Sequence, residues 1–298
     1  MLGSTNIDLV AYTDAIPRGG ETLTGREFRQ SFGGKGANQA VMAARTGVPV
    51  SIITGVGDDI NGDAALKNFS ENDVDIAPSF VFPTTTGVAH IWVEQSGENR
   101  IILIPGANHQ LEKDEVLKRF SQMSDVNHVI AQCEIPLSIT EAVFKAARQR
   151  GITTVLNPAP FQELSDELLS NTDFLVVNEI EFQQLHPDNQ LPASDEVILS
   201  LPFQGYVIVT LGSDGAALVT PTKTITRLTT PKVTAVDTTG AGDALIGAFV
   251  AALALGKPAE KALQFSIHCA SQSVTRAGAQ SSYLTRAECA QVLQGIEN

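Results

Sequence analysis

The sequence predicts an α/β fold: a doubly wound, mostly parallel central sheet with helices on both faces, plus a small antiparallel β lid. Three observations carry this reading. Short β-branched runs alternate with helical patterns along most of the chain; two segments break the alternation with strand-like patterns and no crossover helix; and the composition is that of an ordinary folded domain. With 298 residues, 43% hydrophobic and 18% charged, the chain is long enough for one large α/β domain or two smaller ones.

In chain order, FGGKGANQAVMAARTG (32–47) places a glycine-rich loop before a helix whose apolar positions include Ala40, Val41 and Ala44. VSIITGVG leads into GDAALKNFSEND, and HVIAQCE into SITEAVFKAARQRG. TTVLNPAP, FLVVNEIEF and YVIVTLGSDG each pair a β-branched run with a polar or glycine end, as strands of a parallel sheet do before their loops. The apolar run at 244–256 predicts a buried helix, too short to span a bilayer. The two exceptions are TLTGREFRQSF (22–32), which alternates as a strand, and residues 86–106, which predict a hairpin of strands 88–93 and 101–104. Together they suggest a separate antiparallel sheet, either a lid over a cleft or an oligomer edge.

The net charge of −13 and the absence of a Lys/Arg cluster exclude a nucleic-acid partner, because nothing would gather phosphate backbones. A small anion stays possible, since helix N-termini bind phosphate through backbone N–H groups. Three scattered cysteines (Cys133, Cys269, Cys289) without a CxxC spacing predict neither a disulfide framework nor a cysteine zinc site, and suit a reducing cytoplasm. The start MLGSTNIDLVAY has no basic region before an apolar one, so no signal peptide is expected, and no membrane partner. His90, His109, His128, His186 and His268 fall in no metal-binding spacing and are expected at the surface or in packing.

Ligands of a parallel sheet gather at the carboxyl ends of its strands, so polar residues there carry the chemistry. In GSTNID (3–8), Asn6 and Asp8 form either an Asx turn or a sugar site, since a carboxylate accepts bonds from two neighbouring hydroxyls. In GGKGAN, the glycines allow close backbone approach and Lys35 or Asn38 is placed to enter a cleft. The sequence is neither GxxxxGK(S/T) nor GxGxxG. NEIE (178–181) is either a capping box or a site where Glu181 holds magnesium beside phosphates. TLGSDG (210–215) is a β-turn that can also line a nucleotide pocket.

DTTGAGD (237–243) is the richest stretch. Gly240, Ala241 and Gly242 would present N–H groups at a helix N-terminus, where the macrodipole favours an anion. Asp243 is then either a helix-capping carboxylate or a base that takes a proton from an attacking hydroxyl.

Taken in order, GSTNID, FGGKGANQA, NPAP (157–160), NEIE, TLGSDG and DTTGAGD resemble the ribokinase group of the phosphofructokinase-B-like carbohydrate kinases, over essentially the whole chain. The resemblance implies ATP-dependent phosphorylation of the primary 5-hydroxyl of D-ribose, giving ribose 5-phosphate and ADP. The alternatives are a kinase for deoxyribose, fructose or a nucleoside, or a catalytically silent sugar-binding protein on the same fold. By the same resemblance Asp243 is the catalytic base, with Gly240, Ala241 and Gly242 as its anion hole. Asn6, Asp8, Gly34, Lys35, Asn38 and Glu134 contact the sugar. Asn178, Thr210, Gly212, Gly215 and Gly242 lie at nucleotide positions, and Glu181 at a Mg2+ position. Asp237, Thr239, Ser273, Arg276, Gly278 and Ser282 match a monovalent-cation site, usually K+. Residues 10–32 and 86–106 correspond to the family's lid, which commonly forms a homodimer; residues 1–9, 33–85 and 107–298 form the nucleotide- and sugar-binding core. Two departures stand out: only Met1 and Leu2 precede Gly3, where the family has a full apolar strand, and Ile267 is aliphatic where the adenine pocket often has a polar ring.

Overall fold

In the computed structural model, which describes residues 1–96 and 98–297, the predicted alternation is realised. The chain opens with strands β1 (Asn6–Tyr12) and β2 (Glu27–Gly33), then helix α1 (Lys35–Arg45). Short strands β3 (Val50–Ser51) and β4 (Gly55–Gly57) lead through α2 (Ile60–Glu71) to β5 (Val74–Asp75) and β6 (Phe80–Phe82). A hairpin of β7 (Gly87–Val93) and β8 (Asn99–Ile104) precedes α3 (Lys113–Gln122). Alternation resumes with β9 (His128–Ala131), α4 (Leu137–Gln149), β10 (Thr153–Leu156), α5 (Asp166–Ser170) and β11 (Phe174–Asn178). Then come α6 (Glu179–Leu185), α7 (Asp195–Ser200), β12 (Tyr206–Thr210), β13 (Ala216–Val219) and β14 (Ile225–Leu228). Helices α8 (Ala241–Ala254), α9 (Ala259–Ser273) and α10 (Arg286–Glu297) follow.

The larger sheet has the order β14-β13-β12-β11-β10-β9; β9 to β12 run parallel, and β13 and β14 are antiparallel additions at one edge. Its central strands are apolar at consecutive positions because both faces are covered. Val176, Val177, Ile208 and Val209 are all essentially inaccessible. One face packs a cluster from α1, α8, α9 and α10, and the other a cluster from α3, α4 and the short helices α5 to α7. Beyond β9 the sheet continues through Leu2, which bridges Ala131 on one side and Ile53 on the other, both in parallel sense. The Met1 amino group donates to Ser51 O at 2.7 Å, and burial lowers its pKa to about 5.

The second sheet has the order β2-β1-β7-β8. The predicted hairpin is present, but the strand expected over 22–32 begins only at Glu27, because its partner β1 ends at Tyr12, opposite Glu27. β1 belongs to this sheet from Asn6 onward, pairing with β2 antiparallel and β7 parallel. Asn6 and Asp8 are thus strand residues of the lid sheet rather than members of a turn. No described helix is long and apolar enough to cross a membrane.

Two local features aim the fold at one place. Asn178 and Thr210 are paired at the carboxyl ends of β11 and β12, which sets NEIE beside TLGSDG. Gly247 in α8 lets α1 approach closely: a Cβ there would lie 2.5 Å from Gln39 O and 2.9 Å from Met42 Cβ. The start of α8 is thereby pressed against the start of α1.

Candidate active site

A cleft of about 230 Å³ at the carboxyl edge of the large sheet is lined by Lys35, Asn157, Ala159, Asn178, Glu181, Thr210, Gly240, Gly242, Asp243 and Ile246. It draws together four of the sequence's candidate stretches, from α1, β11, β12 and α8. A larger groove, of about 780 Å³, lies between Met1, β3, β9 and the end of α8 and contains none of the candidate residues.

Asp243 sits in the first turn of α8 and is buried. Its Oδ2 accepts a bond from Asn38 Nδ2 at 2.9 Å and its Oδ1 one from Gln39 Nε2 at 2.9 Å, so two neighbouring amides of α1 fix the carboxylate. Gly240, with φ of 75°, turns the chain into α8; no side chain caps this helix. The Ala241 N–H folds back on Thr238 O at 3.2 Å. The Gly240, Gly242 and Asp243 N–H groups have no acceptor among the described residues, which leaves donors aimed outward at a helix N-terminus. The capping alternative for Asp243 fails on this geometry, because its carboxylate turns to α1 instead of its own helix. A Cβ on Gly242 would meet nothing within 4 Å, so the missing side chain keeps open space at the cleft.

Three further charged groups face this point. Burial opposes the Lys35 charge, but Asp243, Glu134 and Glu181 together hold its pKa above the ordinary lysine value. Glu134 Oε2 accepts bonds from the Lys35 N–H at 2.9 Å and from the Ser4 hydroxyl, and so closes the N-terminus of α1, where Gly34 offers no cap. Burial raises the Glu134 pKa against the opposing pull of Lys35. Gly34 has φ of 87°, and a Cβ would lie 2.8 Å from Asn6 N, so the loop touches β1 backbone to backbone.

On the lid sheet, Asn6 is buried and its Oδ1 accepts from Asn108 Nδ2 at 2.8 Å, which orients the amide with its own NH2 group without an acceptor among the described residues. Asn108 is itself fixed by Thr5 N–H donating to Oδ1 at 2.9 Å and by Nδ2 donating to Thr5 O at 3.1 Å. Burial, and then the charges of Glu134 and Asp243, push the Asp8 pKa up to about 7. Asn6, Asp8, Lys35, Asn38, Glu134 and Asp243 thus occupy one neighbourhood although they come from four segments.

Where the sequence resemblance expects the nucleotide, NEIE forms the capping box: Glu181 N–H donates to Asn178 Oδ1 at 2.8 Å and Asn178 N–H to Glu181 Oε2 at 3.0 Å. The cap leaves Glu181 Oε1 open, and Glu181 lines the cleft, so cap and cleft group coexist. Burial raises its pKa, countered by the Asn178 bond and Lys35. Gly212, with φ of 55°, and Gly215, with φ of 99°, shape the turn between β12 and β13; a Cβ on Gly215 would collide with Leu228 O. Ile267 lies in the core on α9 and is inaccessible.

The segment carrying Asp237 docks on the loop after α9. Val236 and Asp237 N–H donate to Val274 O, Gly278 N–H donates to Asp237 Oδ2 at 2.8 Å, and Thr239 N–H to Oδ1 at 2.9 Å. Burial raises the Asp237 pKa, but these bonds win and hold it below the ordinary value. The side chains of three matched residues turn elsewhere. Ser273 and Ser282 donate to Ala270 O and Ala279 O, and Arg276 pairs with Glu288 at 2.5 Å. The two hydroxyls keep lone pairs, but of Arg276 only the main-chain oxygen can serve a cation. Among the described residues no three His, Cys, Asp or Glu side chains converge as metal ligands.

Sequence reasoning missed Gln39, Asn108, Asn157, Gln132 and Gln280. Gln39 adjoins Asn38 in a stretch already singled out, and Asn157 opens NPAP; Asn108 and Gln280 have no local signal.

The pattern of the pfkB family carbohydrate kinases matches residues 1–286. The ribokinase of Schizosaccharomyces pombe is 39% identical over 296 residues, covering 95% of this chain and 93% of that one. The deoxyribokinase of Salmonella typhimurium is 35% identical over 289 residues, covering 95% and 94%. The structure of Arabidopsis thaliana ribokinase complexed with ribose and ATP superposes with a TM-score of 0.89 at 30% identity, covering 98% of this chain and 97% of that chain. The chain belongs to the pfkB family of carbohydrate kinases.

Proposed function

We propose that this protein transfers the γ-phosphoryl group of ATP to the primary 5-hydroxyl of D-ribose, giving D-ribose 5-phosphate and ADP. The observation that carries this reading is Asp243, a carboxylate fixed by two amides beside unpartnered N–H groups at the start of α8. Asp243 takes the hydroxyl proton as the sugar oxygen bonds to the γ-phosphorus and the bond from that phosphorus to the β,γ-bridging oxygen breaks; ADP leaves with the electron pair. The outward N–H groups of Gly240, Gly242 and Asp243, with Lys35 nearby, offset the charge on the transferring group. Asn178, Thr210, Gly212 and Gly215 border the nucleotide.

The sugar lies between the lid sheet and α1, in reach of Asn6, Asp8, Gly34, Lys35, Asn38 and Glu134. Asp8 supports ribose over 2-deoxyribose, because a half-buried carboxylate that loses a hydroxyl partner keeps its desolvation cost. A carboxylate oxygen left open at Glu181 suits a magnesium ion held mainly by the phosphates. Bound there, Mg2+ would draw charge from the phosphoryl oxygens. Around Asp237, the oxygens of Thr239, Ser273, Gly278 and Ser282 and the main-chain oxygen of Arg276 would supply an oxygen-only donor set, which suits K+.

The exposed apolar edge of the lid supports a homodimer through that sheet, and three free buried thiols suit the cytoplasm. The test is ADP release on a panel of pentoses, hexoses and nucleosides, with and without K+. Ribose should give the highest kcat/KM; a better rate on deoxyribose overturns the sugar assignment. Asp243→Asn should lower kcat by about two to four orders of magnitude, and near-normal turnover would remove Asp243 as the base.

A further inference from the structure

Two amides on successive positions of α1 hold Asp243, and what stands behind them differs. Behind Asn38 the bonds continue. Gln280 Nε2 donates to Asn38 Oδ1 at 3.0 Å and Asn68 Nδ2 to Gln280 Oε1 at 2.8 Å. Asn72 Nδ2 donates to Asn68 Oδ1 at 3.3 Å and Arg45 Nε to Asn72 Oδ1 at 2.9 Å. Primary amides thus run in series from a guanidinium, which can only donate, to a carboxylate, which can only accept. A solitary amide can turn end for end. Within this series it cannot, because reversing one member sets oxygen against oxygen on one side and NH2 against NH2 on the other. Gln39 is held differently: its Nε2 also donates to Asn157 Oδ1 at 3.3 Å, Asn157 Nδ2 donates to Val176 O at 3.0 Å, and Gln132 Nε2 donates to Gln39 Oε1 at 2.6 Å, while Gln132 Oε1 is buried without a partner among the described residues. That arm takes its direction from a main-chain carbonyl close by, through Asn157, and not from a remote cation.

The series joins parts of the fold that are remote in sequence. Asn68 and Asn72 stand at the end of α2, Gln280 lies between α9 and α10, and Asn38 is on α1. Gln280 is buried, does not line the cleft, and has its main chain held as well, by Arg45 Nη1 donating to its carbonyl at 2.8 Å.

We propose that Gln280, backed by Asn68, is a positioning residue for phosphoryl transfer: the directed amide series keeps the Asn38 N–H on Asp243 and holds the carboxylate in the orientation that receives the sugar proton. This rests on Asp243 being the base. It also limits Asn38, whose oxygen and one N–H are committed, to a single N–H for the sugar.

The test is a set of single variants and one double-mutant cycle, with kcat and KM read by ADP release and folding by thermal unfolding. Gln280→Met removes donor and acceptor together and should lower kcat about tenfold or more with KM for ATP unchanged. Asn68→Leu leaves Gln280 in place but frees its oxygen, and should lower kcat about threefold; it carries the test if Gln280→Met does not fold. In an Asp243→Asn background Gln280→Met should have no further effect on the residual rate, because the group it positions is already gone. A role in packing alone would subtract equally in both backgrounds. Equal losses with and without Asp243, or kcat within twofold of the parent in the folded variants, overturn the proposal while leaving Asp243 as the base. If Asp243→Asn itself turns over normally, the base assignment fails first and this proposal with it.

Discussion

Gly33 lies diagonally across the β2–β1 ladder from Asp8, and a Cβ on Gly33 would land on the Asp8 carboxylate. The absent side chain is what lets this carboxylate sit half-buried near Glu134 and Asp243, where burial and then those two charges raise its pKa to about 7. A raised carboxylate is protonated below that value and then no longer accepts bonds from two sugar hydroxyls. KM for ribose should therefore rise as pH falls through 7, by at most about tenfold per unit. Asp8→Asn should flatten that dependence while raising KM throughout; a parent KM constant from pH 6 to 8 would rule Asp8 out as the pH-sensitive ligand.

Asp8 also has a stability consequence with the opposite sense to an ion-paired carboxylate. Its folded-state pKa lies above the ordinary value of 3.8, so the folded protein holds this proton more tightly than the unfolded chain. Stability from this group falls as pH rises from about 4 to about 7, and the full cost is present above 7. Three pKa units set a ceiling of about 4 kcal/mol, which solvent screening at a half-buried site reduces to about 1–2 kcal/mol. Asp8→Asn should raise the Tm of the ligand-free protein at pH 8 and leave it unchanged at pH 4. An unchanged Tm at pH 8 would contradict the strain placed on this residue.

Gly240 and Gly242 should respond oppositely to alanine. Gly240 has φ of 75°, and its Cβ would lie 2.8 Å from both Ala279 Cβ and Tyr283 Oη, so Gly240→Ala should cost about 1–3 kcal/mol of stability. Gly242 lies in the first turn of α8 with open space around it, and alanine there should stabilise the helix by about 0.5–1 kcal/mol. The same methyl intrudes where the phosphoryl group would rest, so Gly242→Ala should lower kcat by an order of magnitude or more. Thermal unfolding and ADP release on the same samples decide it; full activity in Gly242→Ala would move the phosphate away from this turn.

The layers of the fold were legible because their cause is local. Strands buried on both faces must be apolar at successive positions, as FLVV and YVIVT are, and the helix starts at Lys35 and Ala241 follow glycine loops that the chain displays openly. Most of the cleft was legible for the same reason. The support behind it was not: Gln280 lies 242 positions from Asn38 and Asn108 lies 102 from Asn6, and an isolated amide suits a surface or a cap equally well. The matched cation residues show the converse limit. Residue type at Ser273, Arg276 and Ser282 says nothing about whether side chain or main chain faces the loop, and here all three side chains are engaged elsewhere.

β8 bounds the lid sheet and is exposed along its whole length, with Ile101 and Ile102 each 56% accessible although they point to opposite faces. Cross-strand register puts Leu103 on the face of Asp8 and Ala89, toward the proposed sugar site, and Ile102 on the face of Leu9 and His90, away from it. A lid that only covered a sugar would need one apolar face; an edge strand that is apolar on both suits the proposed dimer contact as well. Ile102→Glu should therefore shift sedimentation from dimer to monomer without lowering Tm of the monomeric fold by more than about 0.5 kcal/mol equivalent, the usual limit for an exposed position. If the lid holds its shape through the second copy, KM for ribose should rise in the same variant while KM for ATP, whose proposed site is at β11 and β12, stays the same. A parent protein that sediments as a monomer at micromolar concentration would remove the dimer and leave the apolar edge without that explanation.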